Sequence, residues 1–140
     1  MATVYLVEDN KNTLRILEKI LSSIDDVQVR AFAQPTLALL ASQKEKPDLI
    51  VTDMMMPVMN GIEMVRSMRK DGVECPVVFI SAYPQLTFEQ LLPDNRVSCV
   101  VDKTAGVLAI RREVETALRS RDPQADIGTR ILRKSDLERV

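Results

Sequence analysis

Five short apolar runs alternate along this chain with segments of helical period, and that alternation restricts the fold more than any other feature. The runs are Val4–Val7, Val27–Phe32, Leu49–Thr52, Val77–Ile80 and Val97–Val101. Their length and near-continuous apolar character suit strands buried on both faces of a parallel sheet. After the first run, Leu14, Leu17, Leu21 and Ile24 recur at helical spacing, with Ile16 and Ile20 widening the stripe. Pro35 fits the first turn of a helix carrying Leu37, Leu40 and Ala41 and fading before Pro47. Asn60-Gly61 marks a turn, followed by a helix through Ile62, Val65 and Met68 that runs into Asp71-Gly72. Thr87 and Gln90 have capping-box spacing for a short helix stopping near Pro93, and Val107, Ile110, Val114, Ala117 and Leu118 define a last helix. Right-handed crossovers then require a parallel α/β sheet with helices on both faces.

The 140 residues suit a single domain that needs neither a disulfide nor a metal to fold. A formal net charge of -1 provides no general field for nucleic acid or an anionic membrane. No apolar run approaches the ~18–20 residues of a membrane span. Met1 to Val4 lack the charged start of a secretory signal, so a cytoplasmic location is expected. Cys75 and Cys99 are too few for a disulfide framework and read as reduced thiols. The chain has no histidine, which excludes imidazole-based metal sites and Ser-His or Cys-His catalytic pairs.

Open parallel sheets bind ligands beyond the carboxyl ends of their strands. Glu8 and Asp9 stand there after the first strand, Asp53 after the third, Ser81 after the fourth and Lys103 after the fifth. Singly, each has an ordinary explanation as a helix cap or a solvated turn residue. Together they place three acids, a hydroxyl and an amine on one edge. Crowded carboxylates repel one another, and Mg²⁺ relieves that repulsion with a few hard oxygen ligands and its own waters. Such a cation, with Lys103 and Ser81, compensates the charge of an incoming phosphoryl group, and a carboxylate serves as its nucleophile.

These residues resemble the receiver domains of bacterial two-component response regulators. The likeness covers roughly residues 3 to 120, which would make residues 1–120 the receiver domain. It rests on Glu8-Asp9, on Asp53-Met54-Met55-Met56-Pro57-Val58-Met59-Asn60-Gly61, on Ser81-Ala82 and on Lys103. The resemblance implies a flavodoxin-like (βα)5 doubly wound fold with strand order 2-1-3-4-5. It also implies that Asp53 accepts phosphate from a sensor histidine kinase or phosphotransfer protein. Asp9 and Asp53 would ligate Mg²⁺ with the Met55 carbonyl, Glu8 would act mainly through metal-bound water, and Ser81 and Lys103 would grip the phosphoryl group. Apart from self-phosphorylation and slow self-hydrolysis, such a domain is not an enzyme. Pairing through the face from Thr87 to Ser120 is common in the family, and nucleic acid is reached only through an output domain.

Two positions depart from the family pattern. Thr104 follows the lysine in place of proline, and a cis bond there would cost about 3 kcal/mol. Val100 replaces the tyrosine or phenylalanine whose ring often moves on activation, with Tyr83 the only ring nearby. Met55 and Tyr83 are expected to flank the phosphoryl site and slow attack by water. The competing reading is a receiver fold that signals by protein contact alone, which Val100 and Thr104 favour and the intact acid–hydroxyl–lysine set opposes. A flavin site and a haloacid-dehalogenase-type phosphatase fit poorly, the latter because Met55 stands where a second aspartate is needed. Residues 121–140 read as a tail or linker, or as the start of an output region, with capping-box spacing at Ser135 and Glu138.

Overall fold

The computed structural model describes residues 1–91, 97–119 and 130–132. Strands β1 (Ala2–Val7), β2 (Val27–Phe32), β3 (Leu49–Asp53), β4 (Val77–Ser81), β5 (Val97–Asp102) and β6 (Arg130–Leu132) form a sheet in the order β2-β1-β3-β4-β5-β6. Every pairing is parallel. The first five strands follow the expected 2-1-3-4-5 order. The sixth departs from expectation: Arg130–Leu132 pairs with Cys99–Val101 along the outer edge of β5. Two apolar residues, Ile131 and Leu132, set among Arg130, Arg133 and Lys134 give too short an apolar pattern to read as a strand. The remainder of the 121–140 tail, including Ser135 and Glu138, lies outside the described residues.

Helices α1 (Lys11–Ser22), α2 (Pro35–Lys44), α3 (Gly61–Lys70), α4 (Pro84–Leu91) and α5 (Val107–Arg119) connect the strands. Alternate strand residues face opposite layers, as pleating requires. Tyr5, Val7, Ile50, Phe79 and Val100 pack with Ala38 of α2 and Ile62, Val65 and Met68 of α3. Leu6, Val51, Ile80, Cys99 and Val101 pack on the other side with Leu17 and Leu21 of α1 and Ile110 and Val114 of α5. Burying both faces explains why these strands read as unbroken apolar runs.

Three helices differ from their sequence patterns. In α1, Leu17 and Leu21 are buried while Ile16 is exposed, so the apolar stripe is narrower than its composition suggests. In α2, Pro35, Ala38 and Ser42 face inward, and Leu37 and Leu40 are exposed. The Tyr5 and Phe32 rings, 5.0 Å apart, already fill space on that side of the sheet, which favours small residues on the helix above them. In α4, Pro84 begins the helix and the Thr87 N–H donates to the Tyr83 carbonyl at 3.1 Å. Thr87 therefore lies within the helix and is not its cap.

Candidate phosphoacceptor site

Glu8, Asp9, Asp53, Met55, Ser81 and Lys103 all lie at or just beyond the carboxyl ends of their strands. Parallel pairing produces this common edge: Val7 is opposite Thr52, Asp53 opposite Ile80 and Ser81 opposite Asp102. Carboxylate oxygens of Glu8, Asp9 and Asp53 lie within 4.8 Å of one another. Glu8 and Asp53 are each 2% exposed, so water screens their repulsion poorly. Lys103 Nζ donates to Asp53 Oδ2 at 2.9 Å, and the Met55 N–H donates to Asp53 Oδ1 at 3.3 Å.

Burial pushes the Glu8 carboxyl up to about 8, and the hydrogen bond and negative charge of Asp53 add to the shift, as does Asp9. Burial draws the Lys103 ammonium downward, but the hydrogen bond and charge of Asp53, followed by the charges of Glu8 and Asp9, outweigh it. Lys103 therefore lies above the ordinary lysine value. Three acids share one nearby ammonium in this arrangement. A divalent cation fits that imbalance because it supplies positive charge to hard oxygen donors. A cleft of about 230 Å³ opens beside Glu8 and Lys103, lined also by Thr13 and Val107. Another, of about 390 Å³, lies on the side of Asp9, Lys11, Pro35 and Val58.

The loop after β3 is fixed by its backbone. Gly61 donates its N–H to the Met54 carbonyl at 2.9 Å. A Cβ at this position would lie 2.6 Å from the Asp53 carbonyl oxygen, closer than any side chain tolerates. Asn60-Gly61 is thus a helix start as well as a turn. Asn60 Oδ1 accepts from the Glu63 N–H at 2.8 Å, and Glu63 Oε1 accepts from the Asn60 N–H at 3.2 Å. This reciprocal cap anchors α3 against the end of β3. Between them, the Met59 N–H donates to the Pro57 carbonyl at 2.8 Å, closing a γ-turn on Val58 at φ 74°. Met54 and Met56 are buried in the core and Met59 packs against it, whereas Met55 is exposed.

After β5, Lys103–Ala105 forms one 3₁₀ turn. Asp102 Oδ1 accepts from the Thr104 N–H at 2.9 Å and from the Thr104 hydroxyl at 2.8 Å. Proline could make neither bond. No peptide bond among the described residues is cis. Val100 is fully buried, and Tyr83 is an exposed ring.

Ser81 is 1% exposed, and its hydroxyl has partners the sequence did not announce. Ser81 Oγ accepts from the Tyr83 N–H at 2.9 Å and lies 2.8 Å from Thr87 Oγ1. The spacing of Thr87 from Gln90 reads as a cap and gives no sign of this contact with Ser81. The usable signal was Pro84, which starts the helix early and turns Thr87 back toward the strand end.

An open doubly wound sheet with an acid triad and a lysine at its carboxyl edge defines a receiver-type α/β domain. A family model described as the response regulator receiver domain matches residues 4–115, and the chain belongs to that family. Receiver domains are modules of two-component response regulators. The KDP operon transcriptional regulatory protein KdpE of Escherichia coli K12 is 26% identical over 99% of this chain and 66% of its own length. A protein-glutamate methylesterase/protein-glutamine glutaminase of Treponema denticola is 32% identical over 56% of this chain and 22% of its own. The chain thus spans less than two-thirds of these relatives. Among solved structures, the response regulator domain of Thermotoga maritima CheB matches with a TM-score of 0.74 at 24% identity, covering 90% of this chain and 98% of that one. The Francisella response regulator 1452 receiver domain matches with a TM-score of 0.75 at 20% identity, covering 86% and 98%. At these identities the structural likeness concerns the fold. No helix among the described residues is long and apolar enough to cross a membrane.

Proposed function

We propose that this chain is a phosphorylation-dependent switch in which Asp53 accepts a phosphoryl group from the phosphohistidine of a sensor kinase or phosphotransfer protein. The observation that carries this reading is the Lys103–Asp53 contact of 2.9 Å beside Glu8 and Asp9. In the transfer, a carboxylate oxygen of Asp53 bonds to phosphorus as the phosphorus–nitrogen bond to the donor breaks, leaving an acyl phosphate and a free imidazole. Asp9, Asp53 and the Met55 carbonyl would hold Mg²⁺, with Glu8 acting through its water, and the ion would supply positive charge to offset that of the phosphoryl group. Lys103 leaves its pairing with Asp53 Oδ2 to hold a phosphoryl oxygen, so the charge balance around β5 changes with modification. Ser81 supplies a hydrogen bond from the end of β4. The acceptor is modified once and slowly hydrolysed, so the chain signals without turning over a substrate.

Pairing of two copies through the Thr87–Ser120 face belongs to the same proposal, carried by α4 and α5 because β6 lies along the edge of β5. Nucleic acid would be reached only through an output domain joined to this one. The test is intact mass after incubation with Mg²⁺ and a small acyl phosphate, beside Asp53→Ala and an EDTA control. A gain of one phosphate in the unsubstituted chain alone is expected. No gain with the fold intact would overturn the reading in favour of signalling by contact alone.

A further inference from the structure

The hydroxyl that would meet the phosphoryl group is already engaged in the resting chain. Ser81 Oγ accepts from the Tyr83 N–H at 2.9 Å and lies 2.8 Å from Thr87 Oγ1, with Ser81 and Thr87 only 1% and 3% exposed. A serine hydroxyl has one proton and two lone pairs. Tyr83 occupies one lone pair, and the Thr87 contact uses either the proton or the other lone pair. If Ser81 is the donor, it has no proton for a phosphoryl oxygen until it lets go of Thr87. If Thr87 is the donor, rotation of Ser81 strands a buried hydroxyl on α4. Buried hydroxyls rarely stay without partners, so movement of Ser81 perturbs α4 in either case. Val100, where a ring is common in the family, is fully buried and has no polar side-chain atom with which to respond.

We infer that Thr87 is a positioning residue whose hydroxyl latches Ser81 to α4, and that release of this latch transmits phosphorylation of Asp53 to that helix. The inference rests on the phosphoacceptor reading above, but the latch itself exists in the unmodified chain. A hydroxyl pair thereby supplies a route from site to surface that requires no aromatic ring at position 100.

The test compares Thr87→Val, which keeps the branched shape without the hydroxyl, with Thr87→Ser, which keeps the hydroxyl. Backbone amide exchange in 84–91 is followed in the full chain before and after an acyl phosphate with Mg²⁺, and intact mass is recorded on the same samples. Phosphorylation is expected to speed exchange in 84–91 several-fold in the unsubstituted chain. Thr87→Val is expected to exchange several-fold faster before modification and to change little afterwards, while Thr87→Ser restores both behaviours. Valine and serine variants with the same resting exchange as the unsubstituted chain would overturn the latch. So would a rise spread equally over β1, which would mark Thr87 as general packing. Absence of any mass gain would sink the phosphoacceptor reading separately, because the resting comparison decides the latch without it.

Discussion

Lys103 Nζ reaches Asp53 Oδ2 at 2.9 Å, joining a lysine that is 39% exposed to an aspartate that is 2% exposed. The buried partner carries the greater risk: without the ammonium, Asp53 faces Glu8 and Asp9 in a place that water reaches poorly. Lys103→Met is expected to lower the melting temperature in EDTA, with added Mg²⁺ restoring more of the loss than it adds to the unsubstituted chain. Asp9→Asn should do the reverse, melting higher in EDTA and gaining less from Mg²⁺. For the unsubstituted chain, Mg²⁺ at one hundred times its Kd should contribute about 2.7 kcal/mol. Equal Mg²⁺ shifts in all three proteins would show that the acids do not hold the ion.

Gly61 meets the Asp53 carbonyl where a Cβ would sit 2.6 Å away. Gly61→Ala should therefore destabilise the chain by about 1–3 kcal/mol, the usual range for overpacking. Asn60→Ala, which removes the cap but creates no clash, should cost about 1 kcal/mol. Urea unfolding of the two variants checks both the sizes and their order.

Val58 is a branched residue at φ 74° and 94% exposed, so its side chain has little packing to lose. A γ-turn at positive φ strains a branched L-residue, at a cost of about 1–3 kcal/mol, and glycine is free of that strain. Val58→Gly is expected to stabilise the chain by about 1 kcal/mol, or roughly 4 °C in melting temperature. A lower melting temperature would show that Val58 makes a contact worth more than its strain.

Met55 and Tyr83 are 61% and 63% exposed on the loops after β3 and β4. As screens against water, they should lengthen the life of an acyl phosphate on Asp53. Replacing both with serine should shorten that life several-fold, measured by loss of the mass gain after donor removal. An unchanged lifetime would remove them from that role.

Burial pushes the Cys75 thiol up to about 12, with Asp48 adding to the rise and Arg69 opposing it. A thiol raised from 9.0 to about 12 remains protonated at pH 8, and its thiolate fraction falls on the order of a thousandfold. Native Cys75 should therefore resist iodoacetamide at pH 8 and be alkylated readily once unfolded, as peptide mapping would show. Equal rates in both states would place the thiol in water.

Strand positions were legible because each run is short, apolar and buried on both faces. The acids were legible because a strand end fixes where the next residue falls. Helix faces were less so. Leu37 and Leu40 look like core from spacing alone, yet Ala38 and Ser42 face the sheet, on the side where Tyr5 and Phe32 already occupy the space. The third helix began where a turn was expected, since Asn-Gly chemistry serves both and only the approach to Asp53 distinguishes them.

The sequence by itself determined the alternation of strands and helices, the parallel sheet, and the edge where Glu8, Asp9, Asp53, Ser81 and Lys103 emerge. Local patterns suffice for those because burial and backbone periodicity act over a few residues. Only the tertiary structure decided that Lys103 pairs with Asp53 at a sequence separation of 50, that Ser81 meets Thr87, and that Arg130–Leu132 lies against β5. Those outcomes depend on which surfaces the folded sheet brings together, and distance in space is not written in distance along the chain.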